Sequence, residues 1–251
     1  MNVMRLSVVL PCYNEAGRLP ATLATYLAHF PAGADEVEVL VVDDGSTDDT
    51  LAVAGAAASG DARVRVLHTQ PNHSKGFAVR TGMLAARGGL VVFTDADGSY
   101  TPAEVERVAR ALAGAQVAIG ARGDLVGPAG PVLRRLASLV FNRAMRMVLG
   151  LPYRDTQCGL KGFRREAARE LFTRARVDGF AFDAEALFLA GRLGLRVAEV
   201  PVRAEERAGS KVRLAVDALT MLRDMGGVRR AARAGAYDRA PRQVHDPAGS
   251  G

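Results

Sequence analysis

The sequence predicts an α/β fold with a mostly parallel central sheet covered by helices on both faces, and three observations predict it. Short apolar runs that suit strands buried on both sides alternate with stretches of helical period. Each of the first four runs is followed by a helix or a helix-starting signal, the order that gives a parallel sheet. Polar and acidic residues gather at the carboxyl ends of the runs, where open parallel sheets bind their ligands.

The elements follow in order. Residues 6–11 (LSVVLP) read as a strand, and residues 18–30 carry Leu19, Leu23, Tyr26, Leu27 and Phe30 as a helical stripe. Residues 37–46 (VEVLVVDDGS) form a second strand, after which Ser46 or Thr47 is placed to cap a helix with Asp48 and Asp49 in its first turn. A third strand over 64–69 leads to a helix over 76–87. A fourth over 90–97 (LVVFTDAD) precedes a helix started by Pro102, with Glu104 and Glu106 near its positive end. Residues 116–122 make a fifth strand.

Beyond Arg122 the pattern changes. A Gly/Pro-rich loop over 123–131 is followed by an Arg-interrupted helix over 132–149. DTQCGLKGF (155–163) reads as a loop or edge strand, 164–172 as a short helix, 180–194 as a helix and 196–204 as a final strand. Residues 211–230 form a basic amphipathic helix, and from about 231 the composition reads as a disordered tail.

The chain has 251 residues, 49% hydrophobic and 24% charged, which excludes disorder as its main state. Its two cysteines, Cys12 and Cys158, build no disulfide framework, and its four histidines have no metal-ligand spacing. The start lacks the features of a signal peptide, and no apolar run reaches the roughly 18–20 residues of a membrane span. A cytoplasmic protein with reduced thiols is expected. The net charge of +6 favours anionic partners. Nucleic acid is not the expected one, because aromatic residues are only 6% of the chain and tryptophan is absent, leaving few stacking platforms. Three of the 33 cationic residues are lysines, and Lys75, Lys161 and Lys211 each sit in a Gly/Ser-containing segment.

Asp95-Ala96-Asp97 is the sharpest chemical signal. Two carboxylates at i and i+2 just past a buried strand repel each other unless a cation or solvent relieves them. Hard cations such as Mg²⁺ or Mn²⁺ take carboxylate oxygens and share their remaining positions with substrate phosphates. Alternatively, Asp97-Gly98 starts a turn and Asp95 caps a helix. Asp43-Asp44-Gly45-Ser46 ends an earlier strand with either turn chemistry or acceptors for a nucleobase or ribose. LPCYNE adds an aromatic ring and a carboxylate at the first strand end, so three strand ends converge on one crevice. Neither GxxxxGK[ST] nor GxGxxG after the first strand is present, so a glycine cradle is not the phosphate device; carboxylates holding a metal are the better candidate.

LPCYNE, VVDDGSTDDT, KGFAVRTGML, FTDADGSY and GAR, in this order and spacing, resemble family 2 glycosyltransferases of the GT-A fold. RDTQCGLKGFRREAARELF, GFAFDAEALFLAGRLG and EVPVRAEERAGSKVRLAVDALTMLRDM narrow the resemblance to the dolichyl- or polyprenyl-phosphate β-glucosyltransferase branch, near the dolichyl-phosphate mannose synthases. It covers about residues 5–228.

The resemblance implies one glycosyltransferase domain over 1–228, with a nucleotide-binding half (1–122), an acceptor half (123–228) and a basic tail over 229–251. It implies that Pro11, Tyr13 and Glu15 line the nucleotide pocket, that Asp44 and its neighbour Asp43 contact the base, and that Asp95 and Asp97 hold Mg²⁺ or Mn²⁺ and the donor diphosphate. Lys75, Ala96 and Arg122 fall in the donor site, Arg122 also being placed to meet the acceptor phosphate. Lys161, Arg207 and Lys211 would handle phosphate. Ser99 stands where the mannosyl relatives often carry a glutamine metal ligand. Asp183 is the candidate for a base or an acceptor-orienting carboxylate, with Glu185 the weaker one.

The implied reaction is an inverting transfer of glucose from UDP-glucose to a polyprenyl or dolichyl phosphate, at the cytoplasmic face of a membrane touched peripherally. The alternatives are GDP-mannose as donor and a soluble hydroxyl acceptor, the latter requiring a base such as Asp183.

Overall fold

A computed structural model describes residues 5–30, 36–122, 143, 146–205 and 214–238. Strands β1 (Leu6–Cys12), β2 (Val37–Asp44), β3 (Val64–Thr69), β4 (Leu90–Phe93), β5 (Val117–Arg122), β6 (Lys161–Arg164) and β7 (Val197–Val202) form one sheet in the order β3-β2-β1-β4-β6-β5-β7. All neighbours are parallel except at β6, which runs antiparallel to both β4 and β5. The helices are α1 (Leu19–His29), α2 (Thr50–Gly60), α3 (Lys75–Ala85), α4 (Pro102–Ala111), α5 (Arg165–Arg174), α6 (Phe182–Arg192) and α7 (Leu214–Arg233).

The alternation inside the strands explains the layers. Val8, Leu10, Val39, Val41 and Val92 face a core completed by α1, α2 and α4. Val9, Leu40, Val42, Phe93 and Phe163 face a second core completed by α3, α5, α6 and α7. With both faces covered, β1 and β2 bury almost every residue, which is why they read as continuous apolar runs. In the second core the Phe93 ring lies 6.3 Å from Phe163 and 5.6 Å from Phe182, aromatic packing that fixes β4, β6 and α6 together.

Three expectations change. The segment 155–163 supplies no edge strand: its end enters β6, between β4 and β5, with Lys161 opposite both Phe93 and Ile119. The sheet therefore has no seam at residue 122. Ser46 and Thr47 do not cap α2, which starts at Thr50 with Asp48 Oδ1 accepting the Thr50 N–H at 3.0 Å. Of the tail expected over 229–251, residues 229–233 belong to α7 and Tyr237, 4% exposed, packs into the second core, while 239–251 lie outside the described residues. The loop over 123–131, and all but residues 143 and 146–149 of the helix expected over 132–149, lie outside the described residues.

Candidate active site at the strand ends

The carboxyl ends of β1 and β2 are joined by hydrogen bonds between their loops. Asn14, at φ 56°, donates its N–H to Ser46 Oγ and accepts the Thr47 N–H on Oδ1 at 2.8 Å. Glu15 N–H donates to Thr50 Oγ1, and Ala16 N–H to Asp48 Oδ2. The Glu15 carboxylate is gripped at both oxygens by the Arg18 guanidinium, each at 2.6 Å. Tyr13 stands 41% exposed at the mouth, and Pro11 is half-buried beneath it in the chain.

Asp43 and Asp44, expected at a base, are buried; the Asp43 carboxylate holds the β2 turn and β3, and that of Asp44 holds the loop that follows β3. Asp43 accepts the Ser46 hydroxyl and faces His68 Nδ1 at 2.8 Å. Asp44 Oδ2 accepts the backbone N–H groups of His73 and Ser74 at 2.9 and 2.8 Å, while Oδ1 accepts the Thr69 hydroxyl. Burial of two carboxylates requires such partners. The result is a fixed loop over 69–74 that delivers Lys75 to the start of α3.

Lys75 Nζ stands 2.5 Å from Asp95 Oδ1, just past β4. Burial opposes its ammonium, but the carboxylates of Asp95, Asp183 and Asp97 outweigh that and hold its pKa above the ordinary lysine value. Thr22 of α1 donates its hydroxyl to the Ala96 carbonyl at 2.8 Å, pinning the turn that carries both aspartates. Asp97 Oδ1 accepts the Ser99 N–H at 2.9 Å, so Ser99 touches Asp97 through its backbone. Gly159 closes the other side: a Cβ there would fall 2.2 Å from Asp95 Oδ2, so only glycine permits this approach.

Beneath this pair lie Asp183 and Lys161. Asp183, in the first turn of α6, is buried with its Oδ1 2.7 Å from Lys161 Nζ, and Lys161 also donates to the Cys158 carbonyl. Burial raises the Asp183 pKa, against the pull of Lys161 and Lys75. Lys161, expected to meet phosphate, is fully buried and acts as the counterion of Asp183. Glu185, the weaker base candidate, points elsewhere: it accepts the N–H groups of Arg176 and Val177 and the Tyr237 hydroxyl. Arg207 and Lys211 lie outside the described residues.

Arg122, at the end of β5, is held in a two-pronged ion pair by the buried Asp155, at 2.7 and 3.1 Å. Burial works against the guanidinium, but Asp155 raises its pKa well above the ordinary arginine value. Asp155 and Gly159 were not singled out from the sequence, though both sit in the RDTQCGLKGF segment that the resemblance rests on. Residue type alone gives neither away, because their roles are contacts with strands distant in the chain.

Among the described residues no group of three or more His, Cys, Asp or Glu side chains is arranged to hold a metal ion. Asp95 and Asp97 offer hard oxygens, partly open to solvent, and the Lys75 ammonium already sits on one of them as a positive charge. This donor set fits a hard divalent cation whose remaining positions are filled by oxygens of a ligand such as a diphosphate.

The sequence profile described as Glycosyl transferase family 2 matches residues 7–172. The chain is 40% identical to a dolichyl-phosphate beta-glucosyltransferase of Drosophila melanogaster over 239 residues, covering 88% of this chain and 73% of that protein. It is 32% identical to the dolichyl-phosphate beta-glucosyltransferase of Saccharomyces cerevisiae over 259 residues, covering 92% and 76%. Its fold matches glucosyl-3-phosphoglycerate synthase from Mycobacterium tuberculosis, solved with Mn²⁺, UDP and glucosyl-3-phosphoglycerate, with a TM-score of 0.64, 24% identity and coverage of 92% and 80%.

Proposed function

The chain belongs to glycosyltransferase family 2 and has its GT-A fold, and from that premise we propose that it transfers glucose from UDP-glucose to a dolichyl or polyprenyl phosphate, giving a β-linked glycosyl phospholipid. The observation that carries the reading is the carboxylate pair Asp95 and Asp97 at the end of β4, with Lys75 against it and Arg122 at the end of β5.

In this reading Asp95 and Asp97 hold Mg²⁺ or Mn²⁺, which when bound supplies positive charge against the leaving diphosphate. Lys75 and Arg122 add fixed positive charge where phosphate oxygens gather, a preorganised form of stabilisation that needs no rearrangement during reaction. Pro11, Tyr13, Glu15 and Ala96 line the donor pocket. Asp43 and Asp44 shape it through the β2 turn and the 69–74 loop. A phosphate monoester has a second pKa of about 6 and is largely dianionic at pH 7, so it attacks the sugar without surrendering a proton. The ion pair of Asp183 with buried Lys161 suits a carboxylate that fixes geometry rather than one that takes a proton, which favours this acceptor over a soluble hydroxyl.

Among the described residues no helix is long and apolar enough to cross a membrane. We assign contact with the lipid substrate at the cytoplasmic face to α7 and the loop before α6, where Leu222 and Phe180 are exposed. Flotation with liposomes tests this, and failure to float under any lipid composition would remove it.

The reaction is tested by pairing UDP-glucose and GDP-mannose, each with a polyprenyl phosphate, with and without divalent metal. Metal-dependent glucosyl lipid that disappears in Asp97→Ala is the expected result. Product from GDP-mannose alone would change the donor. Metal-dependent UDP binding with no lipid product would move the acceptor to a soluble molecule.

A further inference from the structure

The loop joining α5 to α6 rests on the first turn of α3, with the Phe77 N–H donating to the Asp178 carbonyl at 3.2 Å. With α7 the same loop lines a solvent-open cavity of about 460 Å³ that includes none of the residues assigned to donor or metal. Arg176, Arg223 and Arg230 are among the residues that line it, the last two exposed to solvent. Asp178 is already paired with Arg80 at 2.6 Å, which leaves Asp224 as the carboxylate set against the three. Among the described residues no carboxylate lies within 4.0 Å ion-pair distance of Arg223 or Arg230. Burial raises the pKa of Asp224, and the neighbouring Arg223 pulls it back. Arg176 is held in place, its Nη2 donating to the Ala236 carbonyl at 2.8 Å and its guanidinium 5.7 Å from the Tyr237 ring.

Gly227 leaves room for an occupant. It lines the cavity from the interior of α7, where glycine is the least favourable residue after proline. A Cβ at Gly227 would meet nothing within 4 Å, so packing does not require glycine there. What glycine does provide is an open stretch of helix backbone that a ligand can approach closely.

We propose that this cavity is a second anion site, separate from the diphosphate site at Asp95, that takes a phosphate monoester group. Three guanidinium groups against one carboxylate leave two positive charges uncompensated, and a phosphate monoester carries about −1.5 to −2 at pH 7. The planar, multi-donor guanidinium suits phosphate oxygens better than a point charge does. The group is either a free phosphate ester or the headgroup of an anionic lipid.

The full chain is titrated in EDTA, at constant ionic strength, with inorganic phosphate and glycerol 3-phosphate, and binding is read by ³¹P line broadening. Sedimentation with phosphatidic acid vesicles against phosphatidylcholine vesicles forms the second arm. Arg223→Gln/Arg230→Gln is expected to weaken binding at least tenfold, and Arg229→Gln, on the same helix but outside the cavity, to leave it unchanged. Gly227→Leu projects a side chain into the cavity and is expected to weaken binding equally while raising the melting temperature, which separates site loss from misfolding. Binding of the soluble esters identifies a free phosphate ester, and binding of the vesicles alone identifies a lipid headgroup. Wild-type protein that binds neither probe, or binding that survives both the double substitution and Gly227→Leu, overturns the proposal.

Discussion

Lys161 and Asp183 face each other at 2.7 Å with their side chains 0% and 6% exposed, an ion pair sealed under the site. Lys161 comes from β6 and Asp183 from the first turn of α6, so the pair ties the antiparallel strand to the helix behind it. Removing one member strands the other charge without water, which costs about 3–5 kcal/mol, whereas replacing both with apolar groups is often neutral. Lys161→Met is therefore expected to lose about that much stability, and Lys161→Met/Asp183→Leu to recover most of it. Urea denaturation of the two variants decides. A double variant no more stable than the single one would mean that the charges are not coupled.

Lys75→Met removes the ammonium next to Asp95. A hydrogen bond to a charged group contributes about 1.5–3 kcal/mol, so kcat/KM for the nucleotide sugar should fall roughly 10- to 150-fold. Lys75→Arg keeps the charge and should fall less. Steady-state kinetics at saturating acceptor measures both.

Gly159→Ala places a methyl group where the Asp95 carboxylate now lies, 2.2 Å from Oδ2 and 2.9 Å from Cγ. The carboxylate has to move. Overpacking of this kind costs about 1–3 kcal/mol, and the displaced oxygen should also weaken Mn²⁺ binding about tenfold or more as read by electron paramagnetic resonance. Unchanged Mn²⁺ affinity would show that Asp95 does not need its present position to bind the ion.

Asp155→Asn breaks the two-pronged hold on Arg122 while keeping nearly the same volume. Arg122 should lose its direction more than its charge. A drop of about tenfold to a hundredfold in kcat/KM is expected, since mispositioning of a group by about 1 Å is worth that much. Melting temperature, measured in parallel, should fall by only a few degrees.

Tyr237→Phe removes a hydroxyl that donates to Glu185 Oε1 at 2.6 Å. Burial already raises the Glu185 pKa above 4.5, and the Tyr237 hydroxyl is the largest of the contacts that restrain it. Between 4.5 and the raised folded value, the native state holds a proton that the unfolded state has lost, so stability falls as pH rises through that window. Without Tyr237 the window extends upward. The variant is expected to lose about 1–3 kcal/mol at pH 7.5 and distinctly less at pH 5, by thermal denaturation at the two values.

What the sequence disclosed and what it hid divide along a physical line. Asp95 and Asp97 were legible because a strand of four residues, three of them buried, ends beside them, and their spacing is local. The strand alternation also disclosed both cores. Asp43 and Asp44 were legible as carboxylates at a strand end but not as anchors of β3 and the 69–74 loop, because their partners His68, His73 and Ser74 reach them only through strand pairing. Lys161 looked like a phosphate ligand for the same reason. Nothing local says that its strand would be inserted between β4 and β5, which buries it against Asp183 and 5.6 Å from the Phe93 ring. Tyr237 lay in a stretch of Ala, Arg and Gly whose composition suggests no order, yet its ring packs into the second core and its hydroxyl donates to Glu185.

The antiparallel strand has a consequence for how the molecule comes to be assembled. Of the three neighbours β4, β6 and β5, the one in the middle of the sheet is the last along the chain. A nascent chain that has emerged only through Arg122 holds β4 and β5 but not the strand that joins them, and both present unpaired, largely apolar edges. Neither half can then be released as a working piece. A fragment ending at Arg122 would carry both aspartates at the end of β4, yet lack Gly159 against Asp95, Asp155 against Arg122, and the strand that makes one sheet of the whole.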